Sequence, residues 1–335
     1  MKPSFAGALR CLACRAPLRL EVEEEDSFGV RTGKLVCTSC LETYPILRGI
    51  PDFIDPADRV IADEVAGWIR LAGPLGDEQK ATMTSLPYYP KGNWPLVAPD
   101  FFQIFESFNF SGKNVVDLGA GRTWATRHLV GLGKPAQAVA VDIMTEPYLG
   151  LETAEIFFWQ DGIYFERLRA DCHRIPLADE WADVVFGCAA IHHSSDLDRL
   201  FAEVRRILRP GGLLLFVSEP SKRQSIRIQK PENEETEVGI NENIYSLKEY
   251  RQALRGAGFR FKRIVPRSLT YRLNMIDADF ESDLPAIVAP LTRSRLGRRL
   301  LIRALHTRIV GDWLYRIWSL PLSMWATKLE ARPGN

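Results

Sequence analysis

The sequence predicts an α/β protein, an open doubly wound sheet of seven strands preceded by a small metal-stapled ribbon. Three observations predict it. The first is Asn114-Val-Val-Asp-Leu-Gly-Ala-Gly-Arg-Thr123, where an apolar strand end meets an acid and two glycines that turn the chain into a helix of about 123–132. The second is the series of short apolar runs that follows, separated by stretches of helical spacing, as in a parallel sheet. The third is two C-x-x-C pairs near the N-terminus, Cys11/Cys14 and Cys37/Cys40.

Bulk properties narrow the class. A chain of 335 residues suggests two or so domains, and 46% hydrophobic with 25% charged residues is an ordinary soluble composition. A net charge of +1 argues against a wholesale polyanion binder, though not against a local basic patch. The apolar run at Met1–Arg10 is too short for a signal peptide, and no run reaches the length of a membrane span. Four of six cysteines in C-x-x-C pairs read as metal ligands in a reducing compartment, so the expected location is the cytoplasm.

The N-terminal unit is read as residues 1–56. Cys11, Cys14, Cys37 and Cys40 flank a polar, hairpin-like stretch with turns at Phe28-Gly29 and Thr32-Gly33. Four thiolates fill a tetrahedral Zn²⁺ and leave no position for water, so the ion is expected to be structural. A domain of this size has a small core, and metal binding would supply much of its folding energy. The cysteine pattern with its tail, Tyr44-Pro-Ile-Leu-Arg-Gly-Ile-Pro51, resembles the zinc-ribbon domain related to the activator subunit of tRNA methyltransferases. That domain is often fused ahead of a methyltransferase.

Residues 57–110 read as a linker. Asp58–Leu71 has helical spacing (Val60, Ile61, Val65, Trp68, Ile69). Residues 73–99, rich in proline and aromatics, read as an ordered loop over the next domain, because Tyr88, Tyr89 and Trp94 would not be left bare. Phe101–Phe108 reads as a short helix.

The third unit, 111–335, opens on the glycine turn. A dinucleotide site wants G-x-G-x-x-G, but the third glycine position here is Trp124 and Asp117 stands before the first. A carboxylate is repulsive beside a pyrophosphate and favourable beside a cation. S-adenosylmethionine, with its sulfonium and ammonium, fits better, and D-x-G-x-G resembles motif I of the class I S-adenosylmethionine-dependent methyltransferases. Downstream, Gln137–Val141 is a strand ending in Asp142, placed to accept bonds from ribose hydroxyls. Residues 147–165 are less regular, with a helix or short strand near Ile156–Trp159. Leu168–Leu177 resembles motif III, which implies that Asp171 meets the adenine amino group and the next backbone N–H a ring nitrogen. Trp181–Cys188 is the fourth strand, Leu197–Leu208 an amphipathic helix, and Arg209–Val217 a turn and fifth strand.

Glu219–Asn243 is polar and reads as an exposed loop. Leu247–Ala257 is a helix, Phe259–Val265 a strand, and Met324–Arg332 the seventh strand that pairs with it. Residues 267–321 are then an insertion by the active-site rim. Within it Leu296, Leu300, Leu301, Leu305, Ile309, Trp313 and Ile317 recur at helical spacing among arginines. A helical cap packed on the domain is the preferred reading. A basic helix for a membrane surface or lipid-like substrate, spanning 293–318, and an RNA-phosphate contact are the alternatives.

The resemblance implies a seven-stranded Rossmann-like methyltransferase fold with S-adenosylmethionine held by Asp117, Gly119, Gly121, Thr123, Asp142, Ile143, Asp171, Cys172 and Cys188. The two cysteines are expected to line the pocket as small apolar residues. Tyr88 and Tyr89 either shelter the sulfonium or belong to the core. Methyl transfer from a sulfonium mainly requires alignment in a dry pocket, with a base for hydroxyl or ammonium acceptors. His192 and His193, just after the fourth strand, are placed to face the methyl group. His192 is the candidate base, and a cofactor-covering role for the pair stands beside it. The expected acceptor is a small molecule or a lipid- or glycan-linked metabolite. RNA docked through the ribbon is one alternative, and a non-catalytic binding module is another.

Overall fold

The structure, a computed structural model, describes residues 1–227, 230–275 and 284–329. A four-stranded antiparallel sheet comes first: β1 (Leu18–Asp26), β2 (Gly29–Cys37), β3 (Thr43–Leu47) and β4 (Ile50–Pro51), paired in that order. Helices α1 (Arg59–Ala72), α2 (Asp77–Ser85) and α3 (Trp94–Ser107) lead to the main sheet. Its strands are β5 (Asn114–Leu118), β6 (Gln137–Asp142), β7 (Glu166–Arg169), β8 (Ala182–Cys188), β9 (Leu208–Glu219), β10 (Phe259–Ile264) and β11 (Leu322–Lys328). The spatial order is β7-β6-β5-β8-β9-β11-β10, with β11 antiparallel to both neighbours and the other pairings parallel.

Valines drive the centre. Val115, Val116, Val139, Val141 and Val185 are all but fully buried, the continuous apolar pattern of strands covered on both faces. The covering helices are α4 (Trp124–Gly133), α5 (Ala154–Asp161), α6 (Leu197–Ile207) and α8 (Leu247–Gly256), with the short α7 (Glu234–Glu237) in the loop after β9. Asp196 caps α6 by accepting from the Arg199 N–H, and Ser246 with Glu249 forms a capping box on α8. As expected, β11 pairs with β10 (Met324 opposite Arg263), but it starts two residues earlier and ends at Lys328; residues 330–332 of the expected strand lie outside the described residues.

The ribbon is welded to the sheet. Asp52 bridges the edge strand β7 at Arg169 in parallel, the Phe53 N–H donates to the Arg169 carbonyl at 2.9 Å, and Arg169 Nη1 meets Asp52 Oδ2 at 2.7 Å. Leu9 bridges Leu177, and Leu9, Leu35, Ile46 and Phe53 lie in one apolar cluster with Leu168 and Leu177. An open parallel sheet has exposed edges, and here the ribbon covers one of them.

Three readings need correction. Residues 73–99 are not one loop: α2 occupies the middle, and α3 begins at Trp94, seven residues before the expected Phe101. Pro95 lies in its first turn, where a missing N–H costs nothing. The 219–243 segment is not simply exposed, because Glu219, Ser221, Lys222, Glu242 and Asn243 are buried and only its middle faces solvent. The basic stretch 293–318 is two helices, α11 (Arg295–His306) and α12 (Arg308–Ile317), broken at Thr307. With α9 (Arg267–Met275) and α10 (Ala289–Thr292) they form a helical cap; residues 276–283 of the expected insertion lie outside the described residues. Leu301, Leu305, Leu314, Tyr315 and Trp318 are buried, whereas Leu296, Leu300, Ile309 and Trp313 are exposed. The apolar stripe thus packs inward on only part of its width.

Candidate functional site

A cleft of about 1340 Å³ opens at the carboxyl ends of β5, β6, β7, β8 and β9. Ligand pockets commonly run to about 300–1,000 Å³, so it has room for a nucleoside-sized molecule and a second one. It lies where the strand order reverses from β5, the place ligands take in open α/β sheets.

At the β5 tip Gly119 (φ 68°) and Gly121 (φ 47°) both have left-handed backbone. A β-carbon on Gly119 would stand 2.6 Å from the Ala190 side chain on the loop after β8, so only glycine lets the two loops meet. At the β6 tip Asp142 accepts from the Gly121 N–H at 2.7 Å and from the Met144 N–H at 2.8 Å. Burial raises its carboxyl above the usual value against those bonds. At the β7 tip Asp171 accepts from the His173 N–H and from Nδ1 of its ring at 2.8 Å, and His173 Nε2 meets Ser194 Oγ at 2.8 Å. Burial would raise the Asp171 carboxyl, but the His173 bonds outweigh it and hold it below the ordinary value. This chain of bonds fastens the β7 loop to the β8 loop.

The roof is α1. Asp58 caps it by accepting from the Val60 and Ile61 N–H groups, and Ile61, Glu64 and Trp68 face the cleft from successive turns. Glu64 is pushed up to about 8, first by burial and then by Asp142 and Asp171 opposite. The helix is clamped to the loop after β9: Gly67 packs where a β-carbon would meet the Val238 carbonyl at 2.8 Å, and Arg70 donates to that same carbonyl. Trp94, Trp124 and Asp100 close the other side; Asp100 accepts from the Ser268 N–H at 2.7 Å and from its hydroxyl at 2.6 Å.

Beyond β8, His192 and His193 reach the cleft with their rings 4.2 Å apart. Glu219, at the end of β9, accepts from the N–H groups of Ala190, Ile191 and His192 and from His192 Nδ1 at 2.7 Å. Burial would lower the His192 pKa, but Glu219 and Glu242 more than compensate and hold it at about 10. Burial and the neighbouring charge of His192 pull His193 down to about 4. One charged and one neutral imidazole therefore stand side by side.

Residues 116–216 match a methyltransferase domain family. The chain is similar to a malonyl-[acyl-carrier protein] O-methyltransferase of Methylovorus sp., 34% identical over 30% of this chain and 35% of the relative. It is also similar to a phthiotriol/phenolphthiotriol dimycocerosates methyltransferase of Mycobacterium ulcerans, 32% identical over 32% of this chain and 37% of the relative. The match thus spans little more than a third of either relative's length. Among solved structures, one of the complex between the Haloferax volcanii Trm112 methyltransferase activator and a methyltransferase aligns with 77% of this chain and 100% of that chain, at 19% identity and a TM-score of 0.46.

Set against the methyltransferase pattern, Gly119, Gly121, Asp142, Ile143, Asp171, Cys172, Cys188, His192 and His193 are brought together on the cleft wall. Asp117 and Thr123 are not among its lining residues. Asp117 is 2% exposed and accepts from Thr126 Oγ1 at 2.5 Å, so it braces the first turn of α4 instead of facing a ligand; burial raises its carboxyl to about 7. Thr123 is fully buried. Tyr88 and Tyr89 do not line the cleft either: Tyr88 is exposed, 5.7 Å from the rings of both Phe102 and His128. Cys172 and Cys188 are half-buried, and desolvation holds their thiols well above the ordinary value, in keeping with wall residues and not nucleophiles.

Sequence reading missed Glu64, Asp100, Glu219 and Glu242. Glu64 had a signal, since it shares the apolar stripe of Ile61 and Trp68 and an acid there is out of pattern. The other three had none, because only the folded chain brings them to the cleft.

The four N-terminal cysteines converge, their sulfurs all within 4.8 Å of one another. Contacts of 3.4 Å (Cys14–Cys37) and 3.5 Å (Cys11–Cys40 and Cys14–Cys40) are near the edge of roughly 3.8 Å expected for sulfurs about 2.3 Å from a tetrahedral Zn²⁺. The N–H groups of Ser39 and Cys40 point at Cys37 Sγ, each at 3.4 Å, and they outweigh burial to bring that thiol down to about 6, while at Cys40 the backbone bond of Glu42 is outweighed by the three other thiols, which push it up. A thiolate is the form a metal needs. The donor set fits zinc.

Proposed function

We propose that this chain is an S-adenosylmethionine-dependent methyltransferase that transfers a methyl group to an oxygen or nitrogen atom of a small-molecule, lipid-linked or glycan-linked acceptor. A structural Zn²⁺ held by Cys11, Cys14, Cys37 and Cys40 is part of the same reading. The observation that carries it is the bond from the Gly121 N–H to Asp142, which joins a glycine turn and an acid at the tips of adjacent parallel strands, on a cleft large enough for two ligands.

The bound cofactor supplies an activated methyl group. Asp142 has the position for ribose hydroxyls, and Asp171 with Cys172 that for the adenine edge. Gly119 lets the loop after β8 approach, and Trp68, Trp94 and Trp124 keep water out of the wall they line. His192, oriented by Glu219, stands at the acceptor side, where it can hold or pass a proton. A lipid-linked acceptor is supported by the cap: Leu296 and Leu300 on α11, and Ile309 and Trp313 on α12, are exposed one helical turn apart among arginines. The names of the two relatives carry an acyl-carrier-linked and a dimycocerosate acceptor, which agrees with that reading.

Calorimetry with S-adenosylhomocysteine tests the cofactor assignment. Stoichiometric binding is expected, and Gly119→Val, which drives a side chain into Ala190, should abolish it. Absence of binding to the parent protein would overturn the proposal.

A further inference from the structure

The acceptor side of the cleft holds a group of imidazoles and carboxylates that cofactor binding leaves unused. We propose that His192, His193 and Glu242 form a second metal site, for a divalent first-row transition ion bound through nitrogen and oxygen. One ligand atom from each residue lies within 4.8 Å of the other two. Glu242 Oε2 stands 3.4 Å from His192 Nε2 and 3.5 Å from His193 Nδ1, which here donates to the Asn241 carbonyl at 3.0 Å, so a bound ion would take the place of a proton on each ring. Two ligands about 2.0–2.1 Å from a tetrahedral ion stand roughly 3.3–3.4 Å apart, so these pairs already have the spacing an ion would set.

A second observation points the same way. Glu242 is 7% exposed, and its Oε2 makes no hydrogen bond. Buried charges are paired or bind metals, and this oxygen has only long ion-pair contacts to the two rings, with no bond of good hydrogen-bond geometry. The oxygen faces the only two imidazoles on this wall of the cleft that lie within reach of it among the described residues.

The surroundings are those of a metal ligand. His192 gives Nδ1 to Glu219, itself fixed by three backbone N–H groups, and turns Nε2 toward Glu242. A carboxylate on the far nitrogen is the recurring support of metal-bound histidine, because it sets the tautomer and the ring's aim. The two loops are also sewn together. Asn243 Nδ2 donates to the His192 carbonyl at 3.1 Å, and Asn241 Nδ2 donates to the His193 carbonyl. The ligands are thus held in place by the fold.

Two imidazoles and one carboxylate suit zinc, iron, cobalt or manganese better than magnesium or calcium, and leave positions open to the cleft. The site is distinct in chemistry from the four thiolates of the ribbon. Its role, holding an oxygen donor of the acceptor in place of the proton role given to His192 above, rests on the proposed methyltransferase function; its existence does not.

Cobalt(II) added to the full chain carrying a single equivalent of zinc, on the four thiolates of the ribbon, is the test. One equivalent should bind with visible ligand-field bands and without the intense near-ultraviolet band of sulfur-bound cobalt. Glu242→Gln and His193→Gln, each checked for folding by circular dichroism, should weaken binding about tenfold or more, and Glu219→Gln about 10–100-fold through the His192 orientation. Should those variants not fold, pulsed electron paramagnetic resonance of Mn²⁺ on the parent protein must show imidazole nitrogen coupling. No ligand-field bands on the parent, unchanged titrations in both ligand variants, or Mn²⁺ without nitrogen coupling would each overturn the site and leave His192 as a proton bridge between Glu219 and Glu242. S-adenosylhomocysteine calorimetry on the same sample reports separately on the methyltransferase reading.

Discussion

Asp142 Oδ2 lies 2.7 Å from the backbone nitrogen of Gly121, and this one bond joins the two strand tips that define the cofactor end of the cleft. A hydrogen bond to a charged group contributes about 1.5–3 kcal/mol. Asp142→Ala should therefore lower unfolding free energy by about 1–3 kcal/mol and weaken S-adenosylhomocysteine at least tenfold. Urea denaturation and calorimetry on the same variant measure both, and a variant that loses neither contradicts the role given to Asp142.

Asp117 behaves differently, because its partner is Thr126 and not the cleft. Asp117→Asn and Thr126→Val should each destabilise by about 1–3 kcal/mol. A double-mutant cycle should show coupling near 1 kcal/mol. Cofactor affinity in the folded variants should fall far less than in Asp142→Ala.

Glu64 makes stability depend on pH. Its carboxyl is raised to about 8 in the fold against an ordinary value of 4.5, so between those limits the native state binds more protons than the unfolded one. Stability from this group is fully present below about pH 4.5 and is lost as pH rises toward 8. Thermal melts of the parent and of Glu64→Gln should converge at acid pH, and the parent should fall relative to the variant up to pH 8. Parallel curves over that range would remove the assignment.

Zinc removal should reach beyond the ribbon, because Asp52 and Phe53 pair with Arg169 on the edge of the main sheet. Cys37→Ser should release the metal and lower Tm by roughly 5–10 °C, equivalent to a few kcal/mol. Hydrogen exchange should show faster opening at β7 as well as in β1 to β3. Protection unchanged at β7 would mean that the two sheets fold independently.

The exposed apolar residues of the cap predict binding to anionic vesicles. Leu300→Glu and Trp313→Glu should reduce co-sedimentation severalfold while leaving S-adenosylhomocysteine affinity intact. Equal co-sedimentation of parent and double variant would exclude this face.

Local patterning alone determined much of this protein. Buried parallel strands must be mostly apolar, so Val115–Val116, Gln137–Val141 and Trp181–Cys188 could be found from composition, and the tight turn could be found from Gly119 and Gly121. The four thiols announced themselves by spacing, since two knuckles are the local geometry a tetrahedral ion requires. Tertiary structure decided which acids face the ligand. A strand-end aspartate can point into the cleft or back into the first turn of the next helix, and the Thr126 hydroxyl takes Asp117 inward while the Gly121 N–H keeps Asp142 at the wall. It also decided that Glu219 and Glu242, part of a segment whose composition reads as solvated loop, fold back against His192. Contacts between residues far apart in sequence depend on loop closure and packing, and no periodicity or spacing within the chain records them.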